Sequence, residues 1–209
     1  MAVCTLCRTP NALPFQVEPF LRCPNCNLIF KNRQVQLSTS DEKARYSTHQ
    51  NHIENTGYVN FFTPVVWEIT KVLPRGAKGL DYGCGPGPVL SELLSQKGFV
   101  MTHYDPLFFP MELNAKKEFD FITCTEAAEH FFNPGVEVTK IYSLLKPKGF
   151  LFLMTELYVE NSKLQDWYYP RDPTHVCFYS TLTLNWISER FNRKLRVINP
   201  RLFAFSSLG

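Results

Sequence analysis

No apolar run in the sequence approaches the roughly 18 residues of a membrane span, so no membrane helix is expected. The start, MAVCTLCRTP, lacks the basic and apolar stretches of a signal peptide, which points to a cytoplasmic protein. Concentrated positive charge is missing as well. The 22 Lys and Arg against 19 Asp and Glu leave a formal net charge of +3, short of a dedicated nucleic-acid binder, so an anionic partner is permitted and not required. Disorder is not expected either: 44% hydrophobic and 14% aromatic residues in a chain of 209 suit one substantial globular domain plus a small appendage.

Of the seven cysteines, four fall as Cys4-x-x-Cys7 and Cys23-x-x-Cys26, the two-knuckle spacing of a structural zinc site. Each pair can present two thiolates to one tetrahedral ion, and zinc would supply a core that residues 1–36 are too poor in apolar side chains to build. Chance doublets or a redox Cys-x-x-Cys are the alternatives. Cys84, Cys124 and Cys177 are left over, an odd number in a reducing compartment, and read as small buried hydrophobes.

Residues 37–75 are expected to form a linker and cap helices. The first part is short of aliphatics, and its Tyr46, His49, His52 and Tyr58 either reach into a neighbouring cleft or decorate a polar surface helix. In NFFTPVVWEITKVLPRGA, Val65, Val66, Ile69 and Val72 recur at helical spacing before a Pro-Arg-Gly stop. From residue 76 to 209 strands and helices alternate. That pattern predicts an α/β, doubly wound, Rossmann-like sheet of parallel strands, with ligands at the strands' carboxyl ends. Residues 161–180, aromatic and proline-rich without periodicity, read as a lid, and a helix in TLTLNWISERF precedes a terminal hairpin.

The run GLDYGCGPGPVL places glycines directly after the first of these strands, where they admit unusual backbone angles and close ligand approach. The dinucleotide fingerprint G-x-G-x-x-G is not met, because its third glycine falls on Pro88. Asp81-Tyr-Gly83-Cys84-Gly85-Pro-Gly87 instead resembles motif I of the class I S-adenosylmethionine (SAM) methyltransferases. FDFITCTEAAEHFFNP and LLKPKGFLFL are similar to motifs of the branch that includes ubiquinone-pathway O-methyltransferases, with Lys148 replacing a glycine. The resemblance spans about Lys78 to Phe152. It implies a SAM-binding site at Asp81, Gly83, Cys84, Gly85, Gly87 and Asp105, with Asp105 on the ribose hydroxyls. Between Asp105 and Asp120 there is little room for a full third strand and helix, so no adenine-binding residue can be assigned.

In Glu126-Ala-Ala-Glu129-His130, a helix starting just after the strand would put two carboxylates and an imidazole on one face at the sheet's carboxyl edge. A similar E-x-x-E-H holds a divalent cation in ubiquinone-pathway O-methyltransferases and in small-RNA 3′-end 2′-O-methyltransferases. In the latter a further histidine comes from later in the chain, and His175 in the lid matches it. The resemblance therefore implies magnesium or manganese on Glu126, Glu129, His130 and His175, activating an acceptor hydroxyl. Without a metal, His130 or His175 would serve as general base beside Glu126. Trp167, Tyr168, Tyr169 and Phe178 either stack on a planar acceptor or simply pack. A small-molecule acceptor is favoured. A zinc module ahead of a SAM domain also resembles the zinc-containing ribosomal RNA guanine methyltransferases, with Arg190, Arg193, Lys194 and Arg196 as the clustered cations. A third alternative is a non-catalytic scaffold in which the zinc module docks a partner.

Overall fold

The computed structural model describes residues 2–32, 39–46, 53–114 and 118–208; His49 and His52 fall outside them, and of Tyr46 only the backbone is described. In chain order the elements begin β1 (Leu13–Pro14), β2 (Phe20–Arg22), β3 (Ile29–Lys31), α1 (Thr39–Tyr46), α2 (Thr56–Val72), β4 (Lys78–Tyr82), α3 (Val89–Gln96) and β5 (Val100–Tyr104). They continue β6 (Phe119–Thr125), α4 (Pro134–Leu144), β7 (Leu145–Met154), β8 (Cys177–Phe178), α5 (Thr181–Arg190), β9 (Arg193–Asn199) and β10 (Leu202–Ser207).

Six strands form one sheet in the order β5-β4-β6-β7-β10-β9, with β5, β4, β6 and β7 parallel, β10 antiparallel to β7, and β9 antiparallel to β10 in the terminal hairpin. The central strands are apolar on both sides because helices cover both. Phe121, Phe152, Met154, Leu202 and Ala204 face α2 and α3. Their neighbours Ile122, Cys124, Leu151, Leu153, Phe203 and Phe205 face α4 and α5. Period-two alternation thus delivers the three-layer doubly wound fold read from the sequence.

Asn55 caps α2 by accepting a hydrogen bond from the Tyr58 amide at 3.1 Å. Pro64 inside this helix costs an internal hydrogen bond, yet the helix runs on. Phe62, Val65 and Ile69 are all buried against the sheet, and each contributes about 1.5–3 kcal/mol. Between β5 and β6 the described residues contain no strand, only a bridge from Asp105 to Phe109, so β5 is the sheet's edge as the tight spacing predicts.

The second sheet has the order β1-β2-β3-β8, so the N-terminal hairpins are completed by a strand from the far end of the chain. Leu6, Leu28 and Phe30 of the N-terminal region are buried in the same cluster as Ala127, Ala128, Val138 and Tyr179.

Candidate active site

A cavity of about 870 Å³ opens where β4, β5 and β6 end. Its floor is the glycine loop. Gly83 holds φ at +80°, and a Cβ there would stand 2.6 Å from the Cβ of Ala127, so both of glycine's properties are required at this position. Gly85 is also left-handed at φ +65°. The amides of Gly83 and Cys84 donate to the carbonyl of Tyr104, at 2.8 and 3.2 Å, and tie the loop to the end of β5. Asp105 fixes the adjoining wall: its Oδ2 accepts from the Gly85 amide at 3.0 Å, and its Oδ1 accepts from Leu107 and Phe108 at 2.8 and 3.1 Å. Asp81 lies beneath the loop and accepts from Thr123 Oγ1 at 2.8 Å and Ser91 Oγ at 3.4 Å. Burial pushes Asp81 up to about 6. The Cys84 thiol is raised by burial and by the Asp81 charge, which makes it a poor nucleophile.

Across the cavity stand Glu129, His130 and His175. Glu129 and His130 come from a 3-10 turn, Ala128–His130, just after β6, and His175 from the segment leading into β8. One ligand atom from each of the three lies within 4.8 Å of the other two. The rings meet edge to face, with centroids 4.7 Å apart. Each Nδ1 lies on a backbone carbonyl, His130 on Thr174 at 3.0 Å and His175 on Tyr169 at 2.8 Å. A carbonyl only accepts, so in the neutral ring Nδ1 carries the proton and Nε2 keeps its lone pair. Burial, then the neighbouring His130, lowers His175 to about 4 and keeps it neutral. Glu129 is fully buried and oriented by two hydroxyls, Tyr169 at 2.5 Å and Thr155 at 3.0 Å; burial raises its carboxyl.

The profile of the methyltransferase-domain family matches residues 23–196, more than half of the chain. The chain belongs to this family. Its motifs and fold are those of a class I SAM methyltransferase domain. It is similar to ubiquinone biosynthesis O-methyltransferases. One from Haemophilus ducreyi is 34% identical over 109 residues, 38% of this chain and 45% of that protein. One from Pseudomonas entomophila is 30% identical over 115 residues, 44% of this chain and 49% of that protein. The chain spans about half the length of the curated relatives it matches. Among solved structures, the 1,6-didemethyltoxoflavin-N1-methyltransferase of Burkholderia thailandensis has a TM-score of 0.54 at 13% identity, covering 89% of this chain and 98% of that one. An O-methyltransferase family protein from the same organism also has a TM-score of 0.54 at 13% identity, covering 80% and 64%. Both show the fold.

Glu126 does not join the cluster in this methyltransferase. After β6 the chain forms only the three-residue 3-10 turn, so no helical face aligns Glu126 with Glu129 and His130. Glu126 takes a left-handed φ of +48°, and its Oε2 accepts from Arg201 at 2.9 Å, while Arg201 also lies 3.7 Å from Glu156. Burial and the Glu129 carboxylate push Glu126 up, against the Arg201 guanidinium. Nothing in the sequence pattern marked Arg201, which arrives through the β9–β10 turn, or Thr155, which follows β7. Tyr104 and Leu107 at the end of β5, and Phe131, Asn133 and Glu137 from the 3-10 turn to α4, also line the cavity. The lid aromatics are not among the residues that line the cavity: Trp167 stacks on Tyr169, Phe178 is buried against Phe20 and Ile29 of the N-terminal module, and Tyr168 is exposed with its hydroxyl on Glu156. His175 and Asp172 are what the lid contributes to the cavity wall.

The sulfurs of Cys4, Cys7, Cys23 and Cys26 all lie within 4.8 Å of one another, with Cys4–Cys26 at 3.5 Å and Cys7–Cys23 at 3.4 Å. Zinc–sulfur bonds of about 2.3 Å give tetrahedron edges near 3.8 Å, so the four thiols have the spacing of a zinc shell. Backbone amides of Leu6 and Cys7 point at the Cys4 sulfur, at 3.4 and 3.5 Å, and that of Asn25 at the Cys23 sulfur, at 3.4 Å. Such donors favour thiolates. Burial raises the Cys23 thiol, and the contact with the Cys4 sulfur and then burial raise Cys26, a cost that a cation reverses. Among the described residues no helix is long and apolar enough to cross a membrane.

Proposed function

We propose that this methyltransferase methylates a hydroxyl oxygen of a small acceptor, with a divalent cation held by Glu129, His130 and His175. The observation that carries this is the convergence of one carboxylate and two imidazoles on the wall of the cavity whose floor is the glycine loop. Bound SAM supplies an electrophilic methyl carbon on its sulfonium. Asp105 keeps about one of its roughly four acceptor sites beyond its three amide bonds, enough to accept from a ribose hydroxyl. Tyr169 and Thr155 hold the Glu129 carboxylate in place, and the carbonyls of Thr174 and Tyr169 hold both Nε2 atoms ready as ligands. His175 at about 4 is a weak base toward a phenol near 10 and a good neutral ligand, which favours metal assistance over general-base catalysis. With Glu126 Oε2 paired to Arg201 and the converging atoms those of Glu129, His130 and His175, the donor set is two nitrogens to one carboxylate. That set suits manganese better than magnesium.

A small acceptor fits a cavity of about 870 Å³ shared with the donor. Three of the four cations in the basic cluster that would have favoured RNA are engaged within the chain: Arg196 is paired with Glu68, Arg193 donates to the carbonyls of Pro147 and Gly149, and Arg190 lies over Phe191. With labelled SAM and manganese, label is expected in simple phenols or catechols, and EDTA should stop it. Label that enters total RNA and no phenol would contradict this function.

Two further outcomes follow. Asp105→Ala should weaken SAM binding by about 1.5–3 kcal/mol in calorimetry, the range for a hydrogen bond to a charged group; unchanged affinity would remove Asp105 from the cofactor site. The Cys4, Cys7, Cys23 and Cys26 set is assigned to structural zinc. Elemental analysis should find about one zinc per chain, lost in Cys23→Ser.

A further inference from the structure

The four-cysteine module touches the reaction site at two points, one on each side of the histidine pair. The first is Val176, next to His175. Its amide donates to the carbonyl of Glu129 at 2.8 Å, and its carbonyl accepts from the amide of Lys31, at the end of β3, also at 2.8 Å. One residue thus bridges the turn that carries Glu129 and His130 to the strand that leaves the Cys23–Cys26 knuckle. The β3–β8 pairing continues the bridge through Phe30 to Cys177 and Ile29 to Phe178, and the Lys31 Nζ donates to the Asp172 carbonyl at 3.2 Å. Cys177 Sγ and Tyr179 Oη both donate to the Ala128 carbonyl at 3.1 Å, so the Glu129–His130 turn is held to the same segment from the other side.

The second point is Gly135, in the first turn of α4, five residues after His130. Its amide donates to the Thr5 carbonyl at 3.1 Å, inside the Cys4–Cys7 knuckle. A Cβ on Gly135 would stand 2.2 Å from the Leu6 carbonyl oxygen, so the knuckle and α4 approach as closely as only glycine allows. Cys4, Cys23 and Cys26 are themselves buried in the cluster that contains Ala127 and Ala128, with no solvent layer between module and site.

We infer that the four-cysteine module is a positioning element for the Glu129–His130–His175 cluster: the shape that zinc imposes on the two knuckles fixes where His175 stands against His130. Among the described residues the glycine loop and Asp105 make no such contacts with the module; the loop is tied to the end of β5, and Asp81 beneath it is held from β6 and α3. Loss of zinc therefore loosens the acceptor side of the cavity and leaves the donor side intact. This rests on the proposed function, since it treats the cluster as the reaction site.

The test uses the full-length protein labelled with nitrogen-15. The imidazole nitrogens of His130 and His175 are recorded before and after zinc is removed, by chelator or by Cys23→Ser, and in Gly135→Ala, which keeps every ligand. S-adenosylhomocysteine affinity is measured in parallel by calorimetry. The expected result is loss or displacement of the Nδ1–H signals of both rings in all altered forms, with affinity for S-adenosylhomocysteine held within about twofold, as for a distant site. Ring signals that survive zinc removal would overturn the inference, because the module would then be an independent appendage. Loss of S-adenosylhomocysteine binding along with the ring signals would also overturn it, because the module would then support the whole fold. Gly135→Ala adds a change of shape at constant ligand set; if it does not fold, the zinc-removal arm decides alone. Manganese binding by the unaltered protein is scored separately. Its absence would contradict the metal-assisted function, whereas the ring signals alone decide the positioning role.

Discussion

Glu129→Gln is expected to lower methyl transfer by on the order of a hundredfold or more, while SAM affinity stays unchanged. The substitution keeps the shape of a fully buried side chain and the hydroxyls of Tyr169 and Thr155 that hold it, since a hydroxyl can turn to accept from an amide as readily as it donates to a carboxylate. What it removes is the negative charge that, in the proposed site, anchors the cation between two neutral imidazoles. Asp105 and Gly85 stand on the other wall and should not respond. Equal rates in the two proteins would show that Glu129 serves packing alone, whereas a fall in SAM affinity would show that it braces the donor site.

His175→Ala is expected to cost a similar factor, and it carries a second signature in pH. In the folded chain burial and then the His130 ring hold His175 at about 4, against an ordinary 6.5. Between these values the unfolded chain binds a proton that the folded chain refuses. Stability from this group is complete above about 6.5, declines as the pH falls, and is lost below about 4. Unfolding midpoints of the unaltered protein, measured from pH 7 to pH 4, should therefore fall more steeply than those of His175→Ala. Parallel curves would mean that His175 titrates as an ordinary exposed histidine and is not enclosed in the site.

Much of the doubly wound sheet could be read from the sequence, because buried parallel strands such as FDFITCTE are apolar on both faces and the helices between them are punctuated by glycine and proline. The glycine loop was equally plain, since Gly83 and Gly85 answer a local need of the backbone. Relations made at long range were not visible. The β3–β8 pairing joins residues almost 150 positions apart through strands of two and three residues, too short to carry a period. The Glu126–Arg201 ion pair depends on a single left-handed residue after β6, where helical spacing would have aligned Glu126 with Glu129 and His130. The lid aromatics were open to two readings because composition cannot distinguish a ring that faces a ligand from one that faces Phe20 or Ile29.

The most direct measurement is anomalous diffraction from crystals soaked in manganese and S-adenosylhomocysteine. The proposed function predicts a manganese peak bonded at about 2.0–2.3 Å to a Glu129 carboxylate oxygen and to Nε2 of both His130 and His175, on the cavity side facing the glycine loop, with the three side chains drawn inward from separations of up to 4.8 Å. A cofactor-filled site with no manganese at these residues would contradict it.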